Sequence, residues 1–128
     1  MAQRTFRDPT DIERSFLRIV SRGHAEIERQ IESCRVADYD ATGWCDVLVL
    51  TGPPSPIRFH ADGPALRRGD TEYPDLFVQT MLNVNEAGML ESVEIVHYAG
   101  TMPATPYELF VKAADHDELV YPDLSGGA

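Results

Sequence analysis

Histidines and neighbouring carboxylates are the side chains of this sequence that could hold a metal ion or carry out acid-base chemistry. The histidines are His24, His60, His97 and His116, and none belongs to an HxH, HExxH or HxxxH pattern, in which one element fixes two ligands. His60 and Asp62 alternate along a predicted strand and therefore share a face. We predict no metal site and no cofactor, and retain His60, Asp62 and His97 as an alternative pocket for a small ligand or an acid-base reaction.

Other arrangements that support catalysis are weaker in this sequence. It has no GxSxG elbow, and Cys34 and Cys45 neither form a CxxC motif nor adjoin a histidine. The stretch ADGPALRRGD lacks the lysine of a phosphate-binding loop, and nearby carboxylates most simply balance its two arginines. Both cysteines are expected to be reduced and at least partly buried. The sequence favours a protein without catalytic activity.

The chain carries a net charge of −10, and the acidity lies in its second part. Through Arg35 seven arginines stand against six carboxylates, whereas from Val36 onward four basic residues stand against fifteen acids. Such a balance disfavours nucleic acid and anionic membrane, and favours either solubility alone or a basic protein partner. The acidic run from Asp115 to Glu118 is expected to be a solvated tail, with partner binding as its alternative.

A long polar segment before the central hairpin is the predicted place of partner binding. Tyrosine anchors surrounded by carboxylates suit the recognition of a basic protein, and this segment holds one tyrosine among several acids. The residues assigned to partner binding are Asp62, Asp70, Glu72, Tyr73 and Asp75.

The length of 128 residues fits a single domain with a sizeable core. No stretch approaches the roughly 20 apolar residues of a membrane span, and the first residues lack the apolar centre of a signal peptide, so the expected location is cytoplasmic. We predict a flexible leader over residues 1–9, one domain over residues 10–121 and a frayed tail over residues 122–128.

Two helical segments are predicted at the start of the domain. Thr10 and Glu13 have the spacing of a capping box, and apolar residues follow at helical intervals, which predicts a helix from Asp11 to Ser21. Gly23 is a stop signal, and a second helical piece with a narrow apolar stripe follows it. The pattern leaves open whether the two pieces form one kinked helix or a pair.

The segment from Leu76 to Tyr98 predicts a β-hairpin with a turn over Asn85–Gly88. Its first strand alternates cleanly, but the apolar positions of the second strand change parity, which a β-bulge near Glu91 or Ser92 would reconcile. The other face of the hairpin keeps several large side chains that need further cover. These side chains are Phe77, Met81, Val96 and Tyr98.

The remaining elements are shorter. A hairpin is predicted from strands near residues 36–39 and 44–51, and a short strand over Ile57–His60 is followed by a polar loop from Asp62 to Asp75. The segment YELFVKA fits either a last strand or a short terminal helix. The predicted fold is α+β, with an N-terminal helix or helical pair packed on an antiparallel β-meander of four to five strands.

This order of features resembles a family of small uncharacterised bacterial domains, some of which occur beside polymorphic toxin systems as candidate immunity proteins. The resemblance spans Thr10 to Pro106 and is strongest in LNVNEAGMLESVEI, from Leu82 to Ile95. It implies a helix packed on an antiparallel meander and implies no catalytic residues.

The leading hypothesis is a non-enzymatic, acidic protein-binding module, of the kind that inhibits a basic partner protein. One alternative is a small-ligand-binding protein or small enzyme that uses the pocket of His60, Asp62 and His97. Another is a homodimeric domain that pairs through the apolar remainder of the hairpin. The two alternatives differ from the first in where the binding surface should lie.

Overall fold

The computed structural model of the chain describes residues 6–38, 45–50, 58–101 and 106–122. Its helices are α1 (Asp11–Val20), α2 (Ala25–Ile31) and α3 (Pro106–Asp115), and its strands are β1 (Val36–Asp38), β2 (Cys45–Leu50), β3 (Arg58–Arg68), β4 (Leu76–Asn85) and β5 (Leu90–Ala99). The strands form one sheet in the order β1-β2-β5-β4-β3, with every neighbouring pair antiparallel. The predicted α+β fold with an antiparallel sheet is confirmed. The predicted turn after β1 and the GPPSP segment lie outside the described residues.

Helix α1 begins at the predicted capping box. The Thr10 hydroxyl accepts a hydrogen bond from the Glu13 amide at 3.1 Å, and the Glu13 carboxylate accepts one from the Thr10 amide at 2.9 Å. These bonds satisfy two amides that a helix start otherwise leaves without partners. Along the helix, Phe16, Leu17 and Val20 are buried and fix its apolar side against the core.

Helix α2 is joined to the β4–β5 hairpin by one side chain. The Gln30 amide group donates to the Gly88 carbonyl oxygen and accepts from the Leu90 amide, each at 2.8 Å. Both contacts are to backbone atoms about 60 residues away in sequence, so they fix the position of the hairpin turn relative to the helix.

We expect Gln30→Ala to lower the free energy of unfolding by about 2 kcal/mol, because it removes two hydrogen bonds and leaves the partly buried Leu90 amide without its partner. The neighbouring variant Arg29→Ala is the control, since it loses an exposed ion pair with Glu26 worth less than about 1 kcal/mol. Urea unfolding of both variants measures the difference. Equal losses would show that Gln30 does not hold the turn in solution.

The β4–β5 hairpin has the predicted turn and the predicted bulge. Asn85 accepts through Oδ1 from the Ala87 and Met89 amides at 2.9 and 3.0 Å, and Gly88 has a φ of +80°, which glycine adopts without strain. Asn83 pairs with Ser92 and Val84 pairs with Leu90, which leaves Glu91 as the extra residue of the bulge. The bulge allows Leu90 and Val93 to be buried together although their parity differs.

The prediction of a polar loop from Asp62 to Asp75 was wrong over its first half, because β3 continues to Arg68. A register shift between Asp62 and Ala65 absorbs Gly63 and Pro64 within the strand. Proline is tolerated there because the ladder of hydrogen bonds to β4 is interrupted at the bulge. The Thr80 hydroxyl donates to the Pro64 carbonyl at 2.7 Å and closes the bulge from the neighbouring strand.

The core lies between the helices and one face of the sheet. Helix α3, where the sequence left strand or helix open, places Phe110 against Phe16 with ring centroids 5.6 Å apart. These rings pack on apolar residues that alternate along β4 and β5. The largest fully buried core side chains include Phe16, Phe110, Leu17, Ile31, Leu66, Leu76, Leu82, Leu90 and Ile95.

Segments outside the named strands pair with both edges of the sheet. Arg7 exchanges two backbone hydrogen bonds with Val36 of β1, at 2.9 and 2.8 Å, so part of the predicted leader is attached to one edge. At the other edge Val120 exchanges two backbone hydrogen bonds with Ala65 of β3, at 2.9 and 2.8 Å. Just after it, the Tyr121 hydroxyl donates to the Ile19 carbonyl at 3.0 Å and ties the segment to α1.

Candidate protein-binding surfaces

Asp70 organises the loop between β3 and β4. One of its carboxylate oxygens accepts from the Glu72 and Tyr73 amides at 3.0 and 2.8 Å, and the other accepts from Arg68 Nε at 2.5 Å. The Arg68 guanidinium holds the pKa of the Asp70 carboxyl below its usual value, and the Tyr73 amide acts in the same direction. Asp70 therefore shapes the loop and holds Glu72 and Asp75 in exposed positions.

Arg68 lies at the centre of a group of carboxylates. Asp70 raises the pKa of the Arg68 guanidinium through their hydrogen bond, and the charges of Glu118 and Glu72 act in the same direction. The guanidinium also stacks over the Tyr73 ring, 5.2 Å from its centroid. Tyr73 is only half-exposed because its ring packs against the core as well.

The acidic run after α3 reaches the same end of the molecule as the β3–β4 loop. The pairing of Val120 with Ala65 draws the run toward β3, and Glu118 lies close enough to Arg68 to affect its pKa. Asp117 adopts a φ of +56° in the turn that reverses the chain. We call the resulting surface the acidic end. It consists of Asp70, Glu72, Asp75 and Glu118.

The structure brings together four of the five residues predicted to bind a partner and separates the fifth. Asp70, Glu72, Tyr73 and Asp75 share the β3–β4 loop, whereas Asp62 pairs with Met81 farther along β3. Arg68 pairs with Leu76, five positions from Met81 on β4, so Asp62 lies about 16 Å from Arg68 along the sheet. The loop prediction placed Asp62 with the others because it missed the continuation of β3.

The sheet face opposite the helices forms a second surface, which we call the open face. It carries Phe77, Gln79, Met81 and Asn83 of β4 together with the residues paired with them on β3 and β5. The three described helices all pack on the other face, through the core. The large hairpin side chains that the sequence left without cover therefore lie on the open face.

The open face is aromatic and cationic toward the β3–β4 loop. The rings of Phe77 and Tyr98 stack with centroids 5.0 Å apart, and the Arg67 guanidinium lies 4.1 Å from the Phe77 centroid. Tyr98 is 56% exposed, although its ring is already held by its neighbour. The contacts give this half of the face a fixed shape without covering it.

A polar network occupies the other half of the open face. Asn83, only 2% exposed, accepts a 2.5 Å hydrogen bond from Nδ1 of His60 and donates at 2.9 Å to Ser92 and to Glu94. Asp62 lies in the row of Met81 and Glu94, next to this network. The charge on the open face therefore changes from positive at Arg67 to negative at Asp62 and Glu94.

The alternative pocket of His60, Asp62 and His97 does not form in this arrangement. His60 and Asp62 lie on the open face, whereas His97 pairs with the buried Val78 and so points to the helix side. His97 donates through Nε2 to the Gly100 carbonyl at 2.5 Å. His60 is level with Asn83 and His97 with Val78, which places them about 16 Å apart along the strands.

A shallow depression of about 270 Å³ lies between α1 and α2 rather than between helix and sheet. Two arginines and two glutamates line it, and its charges are already engaged: Arg18 pairs with Glu32 at 3.2 Å, and Glu28 accepts from the Gly23 amide. The residues that line the depression are therefore part of the contact between the two helices.

Among the described residues, no three histidine, cysteine or acidic side chains are grouped as they would be in a metal site. Cys34 is buried and free, and burial raises the pKa of its thiol, whereas the side chain of Cys45 is outside the description. In the same part of the chain, no helix is both long and apolar enough to cross a membrane.

Comparison of the chain with models of known protein families, with curated proteins and with solved structures finds no match. Any assignment of function therefore depends on the two surfaces themselves.

Proposed function

We propose that the chain is a non-enzymatic protein-binding module of the cytoplasm that recognises a basic partner through the acidic end, in the manner of an immunity-type inhibitor. One observation supports the proposal most directly. Carboxylates from two segments more than 40 residues apart in sequence are gathered around Arg68, whose single charge does not offset them.

The geometry of the acidic end favours recognition of a protein over binding of a small cation. Asp70 is committed to its own loop, while Glu72, Asp75 and Glu118 are exposed and spread over two chain segments. Spread carboxylates steer a basic surface into contact and set its orientation, and each adds mainly to the association rate. The resemblance to candidate immunity proteins points to the same class of partner.

The purified product of the gene adjoining this one is the partner to test. Its dissociation constant for the wild-type chain, measured by calorimetry, should rise at least about tenfold when salt is raised from low to well above physiological strength. Absence of binding at low salt would contradict the inhibitor function.

Charge-neutralising variants locate the surface. We expect the triple variant Glu72→Gln, Asp75→Asn and Glu118→Gln to weaken binding about tenfold or more at low salt, chiefly through a slower association rate. The control triple variant neutralises three exposed glutamates elsewhere, at Glu26, Glu86 and Glu108, and changes the net charge equally. Equal weakening by the two would mean that the partner responds to net charge, and would refute the assignment to the acidic end.

A further inference from the structure

We infer that the open face is the contact between two copies of this chain, which pair face to face about a twofold axis near Gln79. The inference is independent of the proposed function, because the acidic end lies outside the contact and would be presented twice by the dimer.

The first reason is the distribution of charge on the open face. Arg67 lies on β3 one row from Gln79 toward the β3–β4 loop, and Asp62 lies on the same strand one row from Gln79 in the opposite direction. A twofold axis that lies between the two faces and runs across the strands at Gln79 therefore places Arg67 of one copy over Asp62 of the other, and repeats the pair with the two copies exchanged. Such reciprocal contacts are the signature of an isologous interface.

The apolar residues follow the same symmetry. The same axis also places Phe77 of one copy over Met81 of the other, and brings the Tyr98 end of one face over Glu94 of the other copy. Apolar side chains would thus meet at the centre and charged groups at the rim, as in stable protein interfaces. A surface whose charges and apolar groups both complement themselves fits a second copy better than a uniformly basic partner.

Burying the polar half of the open face in a dimer costs little free energy. The side chain of Asn83 already bonds to His60, Ser92 and Glu94, so these groups keep partners when water is removed. The stacked rings of Phe77 and Tyr98 are likewise held in place before association, which reduces the conformational entropy lost on binding.

The area of the open face sets the expected affinity of the dimer. Three strands of about ten residues project roughly 14 by 33 Å, or about 450 Å² on each copy, before β2 is added. Two copies would bury on the order of 1,000 Å², which is near the lower limit for a specific interface, so we expect a dissociation constant of about micromolar order.

Sedimentation equilibrium over a wide range of concentration tests the inference. We expect the wild-type mass to rise from the 14.3 kDa of one chain to about twice that value. Met81→Lys, at the centre of the open face, should remain a monomer at the highest concentration, whereas Met89→Lys, at an exposed position on the hairpin turn, should dimerise as the wild type does. A wild-type monomer throughout, or a Met81→Lys dimer of unchanged strength, would overturn the inference.

A charge exchange tests the axis itself. Arg67→Glu and Asp62→Arg should each weaken the dimer at least about tenfold, because each places like charges opposite one another, and the double variant should recover most of the loss. Thermal melts of the four proteins check that each is folded. Losses that add in the double variant would reject this axis.

Discussion

Gly100→Ala is expected to lower the free energy of unfolding by about 3 to 4 kcal/mol. Gly100 follows β5 with a φ of +82°, a conformation in which a side chain is strained by about 1 to 2 kcal/mol. A Cβ atom at this position would also lie 2.6 Å from the Leu76 Cα and 2.7 Å from the Asp75 carbonyl oxygen. Backbone cannot move aside as a flexible side chain can, so β5 and the start of β4 would have to separate.

Gly88→Ala is the matched control for this prediction. Gly88 has nearly the same φ, +80°, but a Cβ atom there meets nothing within 4 Å. Its loss should therefore be limited to the backbone strain of about 1 to 2 kcal/mol. Urea unfolding of the two variants gives their free energies of unfolding, and the difference between them measures the cost of the collision at Gly100 apart from the backbone strain. Equal losses would show that the end of β5 is held less closely against Asp75 and Leu76 than the structure indicates.

Glu13→Gln is expected to lower the free energy of unfolding by about 2 to 3 kcal/mol at neutral pH. The Glu13 carboxylate accepts two hydrogen bonds from the Arg7 guanidinium, at 2.6 and 2.8 Å, and one from the Thr10 amide. The carboxylate is nearly buried, so the substitution removes the charge that the Arg7 guanidinium pairs with and places a neutral amide group against it. The change also affects β1, because the backbone of Arg7 pairs with Val36.

The same ion pair predicts the direction of a pH dependence. The hydrogen bonds from Arg7 lower the pKa of Glu13 below its ordinary value of 4.5, against the opposing effect of burial. A carboxyl whose pKa is lower in the folded state stabilises the fold above its unfolded pKa, and this contribution is lost as the pH falls through the folded pKa. The difference in stability between wild type and Glu13→Gln should therefore be constant near neutral pH and shrink below about pH 4.5.

Glu26→Gln provides the comparison for both experiments. Glu26 forms an exposed ion pair with Arg29 at 3.3 Å, and its loss should change stability by less than about 1 kcal/mol at any pH. A Glu13→Gln variant that behaves like Glu26→Gln would mean that the ion pair of Arg7 and Glu13 does not form in solution.

The elements predicted correctly are those that local sequence determines. The capping box of Thr10 and Glu13 and the turn after Asn85 involve residues within a few positions of each other, so their chemistry is visible in the order of residues. Even the bulge at Glu91 follows from the parity of apolar residues in one strand. Each of these features is a property of a single segment.

The extension of β3 could not be predicted from local sequence. Gly63 and Pro64 are typical of a loop, and they are tolerated in a strand because of tertiary context. A Cβ atom on Gly63 would collide with the Thr80 hydroxyl oxygen, so the close approach of β4 favours glycine, and Pro64 lies in the bulge, where the ladder of hydrogen bonds is interrupted. The missed strand is also why Asp62 was grouped with the loop carboxylates.

The candidate surfaces were predictable only in part for a related reason. The loop carboxylates Glu72 and Asp75 are neighbours in sequence and were recognised together. The approach of Glu118 to Arg68 depends instead on the pairing of Val120 with Ala65, which lies 55 residues earlier. No local sequence pattern predicts this pairing. The uncovered apolar side of the hairpin predicted the open face. The change of charge along that face could be recognised only from the strand register.

The backbone pairs at Arg7 and Val120 have a consequence for handling the protein. A sheet edge with unpaired N–H and C=O groups recruits strands from other molecules, and these two residues occupy part of both edges. Removing either residue by truncation would uncover part of an edge and leave a template for strand-to-strand aggregation. Expression of shortened forms should therefore give insoluble material before it gives a loss of helix or hairpin.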